Sequence, residues 1–227
     1  LVEVMGSEAD PMQAIERLVT AGLIQQTGAI PEGSYRFKHA LTQEVTYDSL
    51  LEHQRRGLHE LVGYAMERTH SGRIDDQAEL LAYHFSRAEI WPFAVRYGRR
   101  AADRASALSQ FAGALATLDR VHACLMHLPE NSERQDLLVD LLLQQERLCE
   151  TLGQRHRQQQ LVLELIALLA PLGSSAKLAL AYLRQGDLLT LLRRFDAADR
   201  ALSTSLRMSR ELSDAALERH ALRSLGL

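Results

Sequence analysis

Two periods of apolar and polar residues meet near the start of this chain. From Tyr35 to Lys38 the period is two, with Tyr35 and Phe37 on one face and Arg36 and Lys38 on the other, which reads as a strand. Beyond it Leu41, Val45, Tyr47, Leu50 and Leu51 recur at helical spacing and make a broad apolar stripe. His39 stands where one period gives way to the other. A neutral, hydrogen-bonding residue at such a junction is either structural, capping it or bonding a buried carbonyl, or turned towards a ligand. The pattern leaves both open.

Upstream, Asp10-Pro11 opens a helix. Aspartate is a good N-cap, proline fits the first helical position, and Gln13 completes a capping box. Ile15, Leu18 and Val19 form its apolar face, and Gly22 ends it before a strand that begins at Leu23-Ile24. Gly28 to Gly33 is a turn-rich loop leading to the Tyr35 strand. Helix, strand, loop, strand is the second half of a winged helix. We assign residues 1–51 to the C-terminal part of such a domain, its earlier helices lying upstream.

Residues 52–227 carry only the helical period. The expected fold class is therefore mainly α: a partial winged helix with a β-hairpin, then an irregular helical-repeat solenoid of tetratricopeptide type. Ser71-Gly72 should break the first long helix, and Asp75 and Asp76 should cap the next. Further helices are expected to about Ala107, and from about Gln110 to His127. Ser132 with Gln135 reads as a capping box. Leu137 to Cys149 is apolar on nearly every side, which predicts a central, buried helix closed by Gly153. Tyr182, Gly186, Leu189, Ala198 and Leu202 fit the small-and-large alternation of tetratricopeptide repeats, in which small residues sit where paired helices cross. Leu81, Ala82, Phe85, Ala94 and Ala101 fit it too, as do Ala102, Ala105, Ala114, Leu118 and Val121, although these two frames overlap.

Composition narrows the function classes. Apolar residues make up 46% and charged residues 24%, as in a soluble globular chain, and the net charge of −3 gives no pull towards nucleic acid or an anionic membrane. Cys124 and Cys149 are two isolated thiols, with neither a disulfide framework nor a zinc spacing, so a reducing cytoplasm is expected. Leu161 to Leu172 is the most apolar run and is too short for a membrane span. His59-Glu60 starts like a zinc-protease motif but lacks its second histidine, and His122 and His127 are five apart and point away from each other. No nucleophile motif or carboxylate pair stands out, so no catalytic or metal-binding residue is assigned and no enzymatic activity is expected of this stretch. The chain starts without methionine and stops inside a helical pattern, which suggests a piece of a longer protein.

The run Y-R-F-K-H-A-L-T-Q-E-V-T-Y-D-S-L-L at Tyr35 to Leu51 carries a further signal. With Arg55-Arg56, Leu58-His59, the E-L-L-A-Y-H-F of Glu79 to Phe85, and the A-V-R-Y of Ala94 to Tyr97, it resembles bacterial signal-transduction ATPases of the STAND type, often fused to nucleotide cyclases. In that family such a segment joins a winged helix to tetratricopeptide-like repeats. The resemblance implies a regulatory arm that takes a protein or peptide signal and relays it to an upstream ATPase domain of the same chain. ATP or ADP would be bound by that parent domain, because G-x-x-x-x-G-K-[ST] does not occur in these residues. Phe37 to Leu41 also resembles the M-H-D segment of apoptosome and plant-resistance ATPases, whose histidine reaches bound ADP, which marks His39 as a nucleotide-sensing candidate. Lys38 and Ala40 depart from that pattern.

Two surface readings complete the expectations. A winged helix can read DNA, and a DNA-binding regulator with a helical effector domain is the alternative. The helix from Pro11 to Ala21 carries only Glu16 and Arg17 as charges, whereas neutralising phosphates takes several cations, so no specific nucleic-acid binding is expected. Arg96, Arg99, Arg100 and Arg104 lie mostly along one helical face. They form either a solvated face or a peptide-binding candidate, anchoring an acidic partner. Self-association of the chain stays open, and no membrane partner is expected.

Overall fold

The computed structural model describes residues 11–27, 34–69 and 74–227. The chain is mainly helical, with one small two-stranded antiparallel sheet among these residues, and it divides into two compact units, Leu1–Arg100 and Ala101–Leu227. The expected cap Asp10, the loop at Gly28 to Gly33 and the break at Ser71-Gly72 lie outside the described residues.

In the first unit, helix α1 (Pro11–Thr20) precedes strands β1 (Ile24–Thr27) and β2 (Ser34–Phe37). Gly22 adopts a φ of 70°, which lets the chain reverse out of α1 with little steric penalty. The strands pair with Ile24 opposite Phe37 and Thr27 opposite Ser34. Ile15 of α1 and Ile24 of β1 are buried, so helix and hairpin share an apolar contact.

Helix α2 (Ala40–Asp48) departs from expectation. It has no buried residue, and of its apolar stripe Leu41 is 69% and Val45 61% exposed. Its Tyr47 end is engaged by the side chains of Arg55, His59 and Arg87. Helices α3 (Glu52–Thr69) and α4 (Ile74–Arg87) pair with each other, and α5 (Trp91–Ala107) follows. Asp75 and Asp76 prove to be first-turn residues of α4, where carboxylates favour the helix dipole, and do not precede it as caps. The core of this unit is aromatic. Phe85 stacks on Tyr97 with centroids 5.6 Å apart, and packs against Phe93 and Tyr64 at 4.9 and 5.3 Å. A Cβ placed on Gly63 would sit 3.0 Å from the Phe85 ring, so α3 offers bare backbone to that ring.

The second unit holds the rest of α5, then α6 (Phe111–Leu125), α7 (Ser132–Thr151), α8 (Arg155–Leu169), a short 3-10 turn (Ala170–Leu172), α9 (Ala176–Leu191), α10 (Phe195–Glu211) and α11 (Ala215–Leu225). The cap of α7 is Asn131, whose side chain accepts from the Arg134 N–H, and not the expected Ser132, which is the first helical residue. As the apolar pattern requires, α7 is deeply packed, with Val139, Leu141, Leu142, Leu148 and Cys149 buried. Gly186 and Ala198 lie where α9 and α10 cross. A Cβ on Gly186 would come within 2.5 Å of Leu202 and 3.3 Å of the Ala198 carbonyl oxygen.

Five helix-to-helix corners share one geometry. Glu89, Ser109, Gly153, Arg193 and Ser213 all adopt left-handed φ values between 56° and 68°. At each corner the next residue donates its N–H five residues back, as Ile90 to Phe85 and Arg194 to Leu189, each at 2.9 Å. This is the Schellman arrangement, which satisfies helix-end carbonyls. Glu89 and Ser109 are 20 residues apart, as are Arg193 and Ser213.

Candidate functional site

His39 takes the N-cap position of α2 with extended backbone angles of −127° and 129°. Its carbonyl receives the Thr42 and Gln43 N–H groups, while its side chain makes no capping bond and is exposed.

The arginine series lies on α5. In the first unit Arg96 and Arg100 are exposed; Arg96 lies over the Tyr97 ring at 5.5 Å, and Arg100 meets Asp75 at 3.8 Å. Arg99 is half-buried. In the second unit Arg104 is exposed. Exposed pairs of this kind contribute little to stability.

A different set of residues in the first unit is brought together by α2, α3 and α4. Arg87 Nη2 donates to Tyr47 Oη at 3.0 Å, Tyr47 Oη lies 3.0 Å from His59 Nε2, and His59 Nδ1 lies 2.9 Å from His84 Nδ1. One assignment satisfies every member. Arginine only donates, so the Tyr47 hydroxyl directs its proton to His59 Nε2; His59 then carries its proton on Nδ1 and donates to His84. Both imidazoles are neutral in this arrangement. Burial pushes the His59 pKa down to about 4, with repulsion from His84, whenever that ring is protonated, and from the Arg87 guanidinium adding to the effect, and burial lowers that of His84. Tyr83 meets the His59 ring edge-on at 5.6 Å, and Arg55 lies over the Tyr47 ring at 5.1 Å. Chemically, this is a polar relay that couples the chain after the hairpin to the first helical pair. Tyr47, His59, Tyr83 and His84 all fall inside the segments that carry the family resemblance, yet spacing assigned them no role, because partners 12 and 25 residues apart on separate helices have no common period.

The second unit has its own polar centre on α7. Gln145 and Glu146 are 1% and 0% exposed in the middle of that apolar helix. Gln145 Nε2 donates to Asp119 Oδ1 on α6 at 2.8 Å, and the Arg157 guanidinium of α8 pairs with the same oxygen. Glu146 accepts from Gln158 Nε2 at 2.7 Å, with Arg184 at 3.8 Å. Burial raises the Glu146 pKa above the usual carboxylate range, against the opposing influence of Gln158 and Arg184. Gln145, Asp119 and Arg157, with His122, Gln160 and Glu164, line an open cleft of about 400 Å³. Among the described residues no His, Cys, Asp or Glu group has the clustering that would hold a metal ion, and no helix is long and apolar enough to cross a membrane. No known family profile matches the chain, and no curated protein matches it.

Proposed function

We propose that this chain is a regulatory, non-catalytic arm of a signal-transduction ATPase, binding a protein or peptide signal through a tetratricopeptide-like helical array and relaying it to an upstream nucleotide-binding domain. The observation that carries the reading is the shared corner geometry at Glu89, Ser109, Gly153, Arg193 and Ser213, combined with the close α9–α10 crossing at Gly186. Arrays of like-built helical pairs present extended surfaces suited to peptides and proteins. On this reading α1, β1 and β2 are the tail of a winged helix, and the Tyr47–His59–His84 relay is the joint through which the signal crosses. On the same reading His39, exposed at the start of α2, is the nucleotide-sensing candidate; its exposed side chain, with no capping bond, is what supports that role.

ATP turnover by the complete gene product, measured with and without residues 101–227, tests this. Removing a regulatory arm should change basal turnover about tenfold, the lower part of the range for allosteric coupling. A complete product without a phosphate loop, or one whose turnover ignores the deletion, overturns the proposal.

A further inference from the structure

We propose that the contact between α2 and the α3–α4 pair is a proton-operated latch: the facing imidazoles of His59 and His84 absorb one proton by reversing the direction of the relay, and a second proton forces them apart and releases the Tyr47 hydroxyl. The geometry sets the proton count. The two Nδ1 atoms lie 2.9 Å apart, so the space between them holds one proton and not two. In the neutral relay His59 donates that proton to His84. When a further proton arrives, His84 becomes the donor. His59 then accepts at Nδ1 and carries its own proton on Nε2, and Tyr47 Oη accepts from both His59 Nε2 and Arg87 Nη2. A hydroxyl oxygen has two lone pairs, so every bond of the chain survives in reversed order. A second proton makes both Nδ1 atoms donors and both rings cations, and no tautomer can bridge them.

The surroundings offer the charged pair no relief. His59 is faced by Tyr47 from α2 and by Tyr83, His84 and Arg87 from α4, while Arg55 of its own helix lies over the Tyr47 ring. The carboxylates Asp48 and Glu89 are held by Arg55 and Arg56. Burial lowers the pKa of both histidines, that of His59 to about 4, so the two protons bind as successive steps of one coupled pair. Once Tyr47 is free, α2 has no buried residue to hold it. Arg55 stays behind as a hinge, donating to the Leu50 and Asp48 carbonyls at 2.9 and 3.3 Å. The latch depends on these side chains alone, and not on the regulatory role proposed above.

The test is NMR of the whole chain, following the imidazole nitrogens and the ring contacts of Tyr47 and Phe85 from neutrality down to about pH 3.5, below both histidine titrations. At neutrality His59 should be the Nδ1–H tautomer. The first proton should convert it to Nε2–H with its Overhauser contacts to Tyr47 kept. The second should abolish those contacts while the Phe85–Tyr97 contacts persist. His84→Asn supplies an amide oxygen that accepts from His59 Nδ1 whether or not the ring is charged, so it should lower the midpoint of Tyr47 release by at least about one pH unit, a tenfold change in proton affinity. The wild-type sequence of tautomers stands as a test even where this variant fails to fold. His59 as the Nε2–H tautomer at neutrality overturns the latch. So does loss of the Tyr47 contacts with the first proton, or only together with the Phe85–Tyr97 contacts, or not at all. An unchanged midpoint in folded His84→Asn overturns it as well.

Discussion

The two units solve the same packing problem with different side chains. The first holds nine of the chain's twelve aromatic residues, packs Tyr64, Phe93 and Tyr97 around Phe85, and runs a tyrosine–histidine–histidine relay beside them. The second packs alanine, leucine and a single bare backbone at Gly186, with its polar groups concentrated at Gln145 and Glu146. Aromatic rings bury large areas per residue but need specific geometry. Small residues let helices approach closely and leave no slack for extra atoms. The first unit should therefore respond to protons through its relay, while the second, tightest at Gly186, should be the more sensitive to added volume.

The largest expected effect is in the second unit. Gly186→Leu drives a side chain into Leu202 and the Ala198 backbone, and overpacking of this kind is expected to destabilise by about 2 kcal/mol or more. Thermal melting should fall by at least about 4 °C for a chain of this size. A neutral shift would mean that the α9–α10 crossing has room to open, which would erase the contrast between the units.

A smaller effect separates the units by pH. His59 has a folded pKa below its unfolded value, so its contribution is complete above about 6.5 and is lost as pH falls towards about 4. Glu146 has a raised folded pKa, so its contribution is complete below the usual carboxylate value of 4.5 and declines as pH rises through its folded pKa. Between pH 7 and pH 4.5, amide hydrogen exchange should speed up in α3 and α4 relative to α7 and α8. The same pH response in both pairs would refute the assignment of proton sensitivity to the histidine relay.

The smallest effect is expected on α2. Val45→Ser and Leu41→Ser should each change stability by less than about 0.5 kcal/mol, the usual range for surface positions. A loss above about 1 kcal/mol in a chemical denaturation curve would show that the α2 stripe packs after all.

Local pattern was enough for much of the fold. The Tyr35–Lys38 alternation gave β2, the all-round apolar run at Leu137 to Cys149 gave the buried α7, and the Gly186–Ala198 spacing gave the helix crossing. Two kinds of information were not local. An amphipathic stripe says that a helix has an apolar face without saying what covers it, and α2 leaves Leu41 and Val45 in the open. Side chains that meet across helices carry no periodic mark, so the Tyr47–His59–His84 relay was invisible while the motifs containing it were in plain view. Gln145 and Glu146 were hidden differently: in an apolar helix they read as gaps in the stripe, although they are the residues that tie α7 to α6 and α8.

The left-handed corners have a consequence for how the chain meets proteases. Arg193-Arg194 is a dibasic pair, and in an open loop it would be an inviting cleavage site. Here both residues donate backbone N–H groups into the end of α9, at 3.0 and 2.9 Å, and the next helix starts at Phe195. A protease must draw several residues into an extended strand, and this corner has none to give without unwinding α9 or α10. Resistance at that bond is then set by the opening free energy of the helical pair, not by the exposure of two arginines.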